Sequence, residues 1–314
     1  MESLKIKNQR SNIKMTNQKL KIKRKNIFEF YIVIFLFTFC FLILAYREIT
    51  SSVFLKGRDK INVVFYGEKT RFYSLDRKNV NYLLSFSNSM KVTVPGGYDK
   101  YIIGAIGKLA SLEKKPDIFK RTFSAATSSF VDLYFYQKKT VVYYEDSNLR
   151  QMPTFMEILL TNSNANLIDK LLLTYVFSTN SKENFQSIDL SPFKLEGDNN
   201  IFDRNLFYKK FQGSFFQRTY RKYDINVQIV YTTSYKTAQL IGQMIEGEGI
   251  RVVDLSNQNR KVSGCLLIAD KKIITTKTFA RLADFFKCRT QIGETTVSDI
   301  ILELGDLEKE WAIN

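Results

Sequence analysis

The sequence predicts a mixed α/β protein: one N-terminal transmembrane helix, then an extracytoplasmic layered α/β sandwich and a small C-terminal βαββαβ domain. Three observations lead there. Residues 30–46, FYIVIFLFTFCFLILAY, carry no charge and follow a lysine-rich segment. Beyond them, short β-branched and aromatic runs bounded by turn residues alternate with stretches whose apolar residues recur at helical spacing. In the last third this alternation is regular enough to give an element order. With 45% hydrophobic and 25% charged residues over 314 positions, the chain can bury a sizeable core, and wholesale disorder is not expected.

Residues 1–26 hold nine Lys and Arg against Glu2 alone, half of the formal charge of +16. A basic flank beside an apolar run keeps that flank in the cytoplasm. The high isoelectric point is therefore read as topology, and no nucleic-acid partner is expected. Residues 27–46 make a span of twenty residues, about 30 Å at ~1.5 Å per residue, which matches a bilayer core. A cleaved signal peptide would be shorter and end in small residues, which LILAYRE does not supply. The basic tail is also placed to hold anionic lipid.

Residues 47–60 read as a stalk and 61–222 as the first α/β domain. Strands are expected at 61–67, 81–86 and 91–95, the last ended by Pro95-Gly96-Gly97. Helices follow at 101–112 and 119–130, then strands at 129–136 and 140–145 joined by a tight turn at 137–139. Two helices between Pro153 and Phe177 would bury Leu159, Leu160, Leu167, Ile168, Leu171, Leu172 and Val176. The polar stretch 178–200 reads as a long loop. The small domain, 223–306, has strands at 225–231, 251–255, 265–270 and 299–304 and helices at 236–248 and 278–288, and residues 307–314 form a tail.

Histidine is absent, which excludes Ser-His-Asp and Cys-His catalysis and nearly all catalytic zinc sites. Of the three cysteines, Cys40 lies in the apolar run. Cys265 and Cys288 fall outside the cytoplasm, where they form either a disulfide or two buried thiols.

Two stretches resemble the LytR-CpsA-Psr (LCP) family of bacterial envelope proteins. VQIVYTTSYKTAQLIGQMIEGEGIRVV (227–253) and SDIILELGDLEK (298–309) are similar to the LytR C-terminal domain. LLSFSNSMKVTVPGGYDKYIIGAIGKL (83–109) resembles the catalytic-domain stretch that runs into V-x-V/I-P-G and D-K, with Val92, Val94, Pro95, Gly96, Asp99 and Lys100 matching. The family's arginine and aspartate are replaced by Asn88 and Ser89. The resemblance implies an α/β domain that handles polyprenyl-pyrophosphate-linked glycan with arginines and magnesium. It also implies transfer of the glycan phosphate to peptidoglycan where the machinery is intact.

Gly96 and Gly97 form either a phosphate cradle or a plain turn. Lys91, Lys100, Lys108, Arg71 and Arg77 either gather there as an anion or pyrophosphate site or are solvated surface. Asp99, Asp132 and Asp146 are candidate magnesium ligands, Asp99 foremost, and magnesium is expected only with transfer chemistry. Gly104 to Lys108 is no P-loop, because no Ser or Thr follows the lysine; its glycines suit close packing. The aromatic clusters at 65–66, 134–136 and 143–144 either line a polyprenyl groove or pack in the core. Three functions follow: a non-catalytic LCP-like binding or scaffolding protein, an LCP-type phosphotransferase, or an anchored interaction protein outside the family. Expected partners are the membrane and a polyprenyl-linked glycan or peptidoglycan.

Overall fold

The computed structural model describes residues 34–77, 79–137, 141–144, 151–195, 198–258 and 262–313. The basic tail, the start of the span, the turn at 138–139, Asp146 and Gly197 lie outside them. The chain divides into two compact units, Met1–Ser52 and Val53–Asn314. In the first, Ile34–Ser51 is one helix, long and apolar enough to cross a membrane. It runs five residues past the expected end at Tyr46, because Arg47 to Ser51 include no helix-breaking Gly or Pro.

The second unit is built on a six-stranded mixed sheet. Its strands, in spatial order, are Asn162–Ser163, Leu133–Tyr136, Lys60–Tyr66, Thr70–Asp76, Asn81–Phe86 and Phe185–Ile188. Alternation along the strands separates two cores. Val64, Tyr66, Phe72, Leu84, Phe86 and Tyr134 face one, beneath the helices Ile106–Leu112 and Asp117–Thr127. Val63, Phe65, Tyr73, Leu83 and Phe135 face the other, beneath Phe155–Leu160 and Leu167–Thr179. Phe65 stacks on Phe135 with centroids 4.6 Å apart, and Tyr66 packs on Phe119 at 4.7 Å. The runs at 65–66 and 134–136 pack in the core, whereas at 143–144 Tyr143 is buried and Tyr144 is exposed.

Lys91–Val94 and Asp99–Ile102 form an antiparallel hairpin across the Pro95-Gly96-Gly97 turn, in a separate four-stranded sheet with Lys194–Leu195 and Asp198–Phe202. The C-terminal part is a five-stranded sheet ordered Arg251–Asn257, Asn226–Tyr231, Ile300–Glu303, Leu266–Ala269, Arg289–Ile292. Helices Tyr235–Gly247 and Lys277–Phe286 bury Ala238, Ile241, Met244, Ile245, Phe279 and Leu282 in one core with it. Cys265 and Cys288 are joined in a disulfide, Cα–Cα 4.6 Å.

Several expectations are corrected. The stalk is not free, since Phe54, Arg58 and Lys60 are buried and the Val53 and Phe54 amides donate to Asp169 at 3.1 and 3.2 Å. Residues 70–76 form a fully buried strand, hidden in the sequence by Arg71 and Ser74. The helix expected from Tyr101 starts at Ile106 after a 3-10 turn, because the hairpin claims Asp99–Ile102. Residues 141–144 form no strand, and 178–200 contains three short ones. The C-terminal sheet gains an edge strand, Arg289–Ile292. The tail is fixed by the short helix Leu307–Glu310, with Leu307, Glu308 and Trp311 buried. On the helices after Pro153, Leu160, Leu167 and Leu171 are exposed, and Ile158, Leu173 and Phe177 are the buried residues.

Candidate functional site

The Gly96-Gly97 turn has the left-handed φ values (105° and 81°) that glycine permits. Its two N–H groups donate to the Ala312 carbonyl at 2.9 and 3.1 Å. The C-terminal segment therefore occupies the donors that a phosphate would use, and a strand, not a helix, follows the turn. The basic candidates do not converge there. Arg71 shares its sheet face with Tyr73 and Leu75, opposite the hairpin, and it pairs with Glu157 while lying 5.7 Å from the Phe65 ring. Arg77 donates to the Phe54 carbonyl. Lys100 and Lys108 are exposed, and Lys91 is half-buried on the hairpin.

Magnesium fits these residues poorly. Asp99 is exposed at the turn, with φ 60°. Asp132 is committed to Arg58 and to Arg281, the latter at 2.7 Å. Among the described residues no group of three or more Cys, Asp or Glu is placed to hold a metal ion. Asn88 is buried and donates to the Glu68 carbonyl at 2.7 Å, a structural role.

Two charged assemblies lie where the C-terminal sheet meets the rest of the unit. The first is buried. Arg281 bridges Asp132 and Glu248, and Glu248 also accepts from the Phe130 amide at 2.9 Å. Burial, and then the Asp132 charge, push the Glu248 carboxyl up; burial would lower Arg281, but Asp132 and Glu248 hold it firmly protonated. Phe130 stacks on Phe285 at 3.7 Å beneath the guanidinium. Gly247 closes the seam, because a Cβ there would meet the Ser128 carbonyl oxygen at 1.7 Å.

The second assembly lines a cavity of about 390 Å³. Lys114, Lys115, Lys120, Arg121 and Lys287 supply five cations against Asp117 and Glu310, and Phe285, Phe286 and Trp311 form an apolar wall. Arg121 is 8% exposed; it donates to the Glu310 carbonyl at 2.5 Å, and its Nε has no partner. Lys120 lies 3.9 Å from the Phe285 ring centroid and donates to the Phe285 carbonyl at 2.9 Å. Burial, and then the Arg281 charge, lower its ammonium to about 8. Tyr98 packs beside Gly96 at the turn; burial and a hydrogen bond to Glu113 raise its phenol, and Arg121 acts the other way. The arrangement can bind an anion against an apolar surface. Sequence reasoning sought this charge at the glycine turn and missed it here. KKPDIFKR (114–121), with four cations in eight residues, was the available signal.

The described chain is thus a mixed α/β protein with a candidate membrane helix and a covered central sheet. No family model matches it, and no curated protein does. It is similar to solved structures of LytR-CpsA-Psr proteins, the family that residues 83–109 resemble. The LytR-CPS2A-psr family protein YwtF (TagT) with bound octaprenyl pyrophosphate lipid is 17% identical, at TM-score 0.34, over 51% of this chain and 91% of that one. TagT bound to LI-WTA is 16% identical at TM-score 0.34, over 51% and 92%. B. subtilis TagT is 13% identical at TM-score 0.22, over 81% and 87%. At such values the likeness assigns no residue a role and no ligand to this chain.

Proposed function

We propose that this is a membrane-anchored, extracytoplasmic protein of the cell envelope that binds a phosphate-bearing ligand without transferring it. The helix Ile34–Ser51 is the anchor, and the basic segment before it remains in the cytoplasm. The Cys265–Cys288 disulfide suits an oxidising compartment. The observation that carries the binding reading is the cavity with five cations, two acids and an aromatic wall. Polyprenyl pyrophosphate, the ligand class implied by the sequence resemblance, combines the anion and the apolar chain that such a lining would take.

The non-catalytic reading rests on how the neighbouring groups are used. Asn88 and Ser89 stand where the resemblance puts an arginine and an aspartate, Arg71 is paired with Glu157, and Ala312 fills the glycine turn. Phosphoryl transfer needs positive charge placed on the transition state, and losing one such contact can cost about a thousandfold in rate. The test is calorimetric titration of the full chain in nanodiscs with inorganic pyrophosphate and with polyprenyl pyrophosphate. Binding weakened about tenfold by Lys115→Ala, a loss of about 1.4 kcal/mol, is expected. Magnesium-dependent transfer of a glycan phosphate would refute the non-catalytic part, and absence of binding would refute the rest.

A further inference from the structure

The helices Phe155–Leu160 and Leu167–Thr179 pack on the central sheet through Ile158, Leu173 and Phe177. Their outer surface is also apolar. Phe155, Met156 and Leu160 are 54, 58 and 71% exposed, and Leu167, Leu171 and Tyr175 are 61, 52 and 66% exposed. The last three recur every fourth residue, so they form one stripe along the helix. Lys170 ties the two helices together by donating to the Leu159 and Thr161 carbonyls at 3.2 and 3.3 Å. A helix on the surface of a soluble domain normally turns polar residues outward, and a continuous apolar patch marks a contact surface.

Chain connectivity indicates what covers it. The candidate span ends at Ser51. The Val53 and Phe54 amides are held by Asp169, in the first turn of the helix that bears Leu167, Leu171 and Tyr175. Two residues of chain reach at most about 7 Å. Once the span is in a bilayer, two residues of chain and the Asp169 carboxylate hold the start of that helix close to the membrane surface. An apolar helix face held there gains by burial in the interface, and tyrosine is a residue that interfaces favour. We infer that the exposed faces of Phe155–Leu160 and Leu167–Thr179 dock on the outer leaflet of the membrane that holds the anchor. This inference rests on the anchor reading above and adds a second, non-spanning membrane contact. It holds the domain at the bilayer surface instead of letting it swing on a tether.

The test uses the full chain with Cys40→Ala, reconstituted in vesicles of phosphatidylcholine and phosphatidylglycerol. One cysteine at a time is introduced, by Leu171→Cys, Met156→Cys, Phe37→Cys or Ile292→Cys, and labelled with a polarity-sensitive fluorophore. Lipid carrying a shallow nitroxide should quench the labels at 171 and 156, lipid carrying a nitroxide deep in its acyl chain should quench the label at 37, and both should spare the label at 292, which lies on an exposed strand of the C-terminal sheet. Two positions on two helices keep the test valid if one variant fails to fold. Quenching at 37 without quenching at 156 or 171 overturns the docking and leaves the anchor standing. No quenching at 37 overturns the anchor, and the docking with it. Equal quenching at 292 would mean indiscriminate contact with lipid and also overturns the inference.

Discussion

The two charged assemblies beside the C-terminal sheet make a direct comparison. In the buried one, Arg58 and Arg281 face Asp132 and Glu248, so the charges balance, and Arg281 is 4% exposed. In the cavity at the end of the helix that bears Arg281, five cations face two acids; Lys114, Lys115 and Lys287 are exposed, Lys120 is half-buried and Arg121 is buried. Balanced buried charge fixes how two sheets join, because removing one partner strands the other. Unbalanced charge at an open cavity contributes little to folding and is available to a ligand.

That contrast is sharpest at Arg281. Replacing it with Leu leaves Asp132 and Glu248 buried together, and a loss of about 3–5 kcal/mol is expected in chemical denaturation. Next comes the disulfide. Breaking it with Cys265→Ser and Cys288→Ser, which opens a loop of sequence separation 23, should cost roughly 3 kcal/mol. Gly247→Ala would force the helix away from Ser128, costing about 1–3 kcal/mol and loosening the seam, readable as faster hydrogen exchange at the Phe130 amide. By comparison, Lys115→Ala should move stability by less than about 0.5 kcal/mol and act on anion binding.

Proton linkage separates the assemblies further. Burial lowers the Lys120 ammonium to about 8 in the folded chain, from 10.5 otherwise. Below 8 both states hold the proton. Between 8 and 10.5 the folded chain has released it and the unfolded chain has not, so this group's contribution to stability rises with pH. Pyrophosphate affinity should fall across the same window as the cavity loses a charge, a trend that Lys120→Gln should flatten. Glu308, outside both assemblies, gives a slope of the same sign in a lower pH window. Burial would raise it, but donors from Thr232, Thr233 and Ser234 lower it, so its stabilisation is present at neutral pH and is lost as pH falls below the ordinary carboxylate range.

Periodicity made most of the scaffold readable. The strand after Lys60, the helix from Asp117 and the pairs flanking Tyr235–Gly247 all carry their apolar residues at the spacing that the structure buries. Thr70–Asp76 was illegible because its buried face includes an arginine whose partner, Glu157, is far along the chain. The faces of Phe155–Leu160 and Leu167–Thr179 were misassigned because both sides of each helix are apolar, and spacing cannot say which side meets protein. The cavity was only half visible. Lys114 to Arg121 are adjacent in sequence, but Lys287, Glu310 and Trp311 join them only through the docking of the C-terminal sheet.

Lysine footprinting would locate where the anion binds. The full chain in nanodiscs would be acylated with and without inorganic pyrophosphate, and modification at each lysine read by mass spectrometry. Protection at Lys114, Lys115 and Lys120, with Lys91, Lys100 and Lys108 unchanged, is the predicted result. Protection at the hairpin lysines with none in the cavity would contradict it.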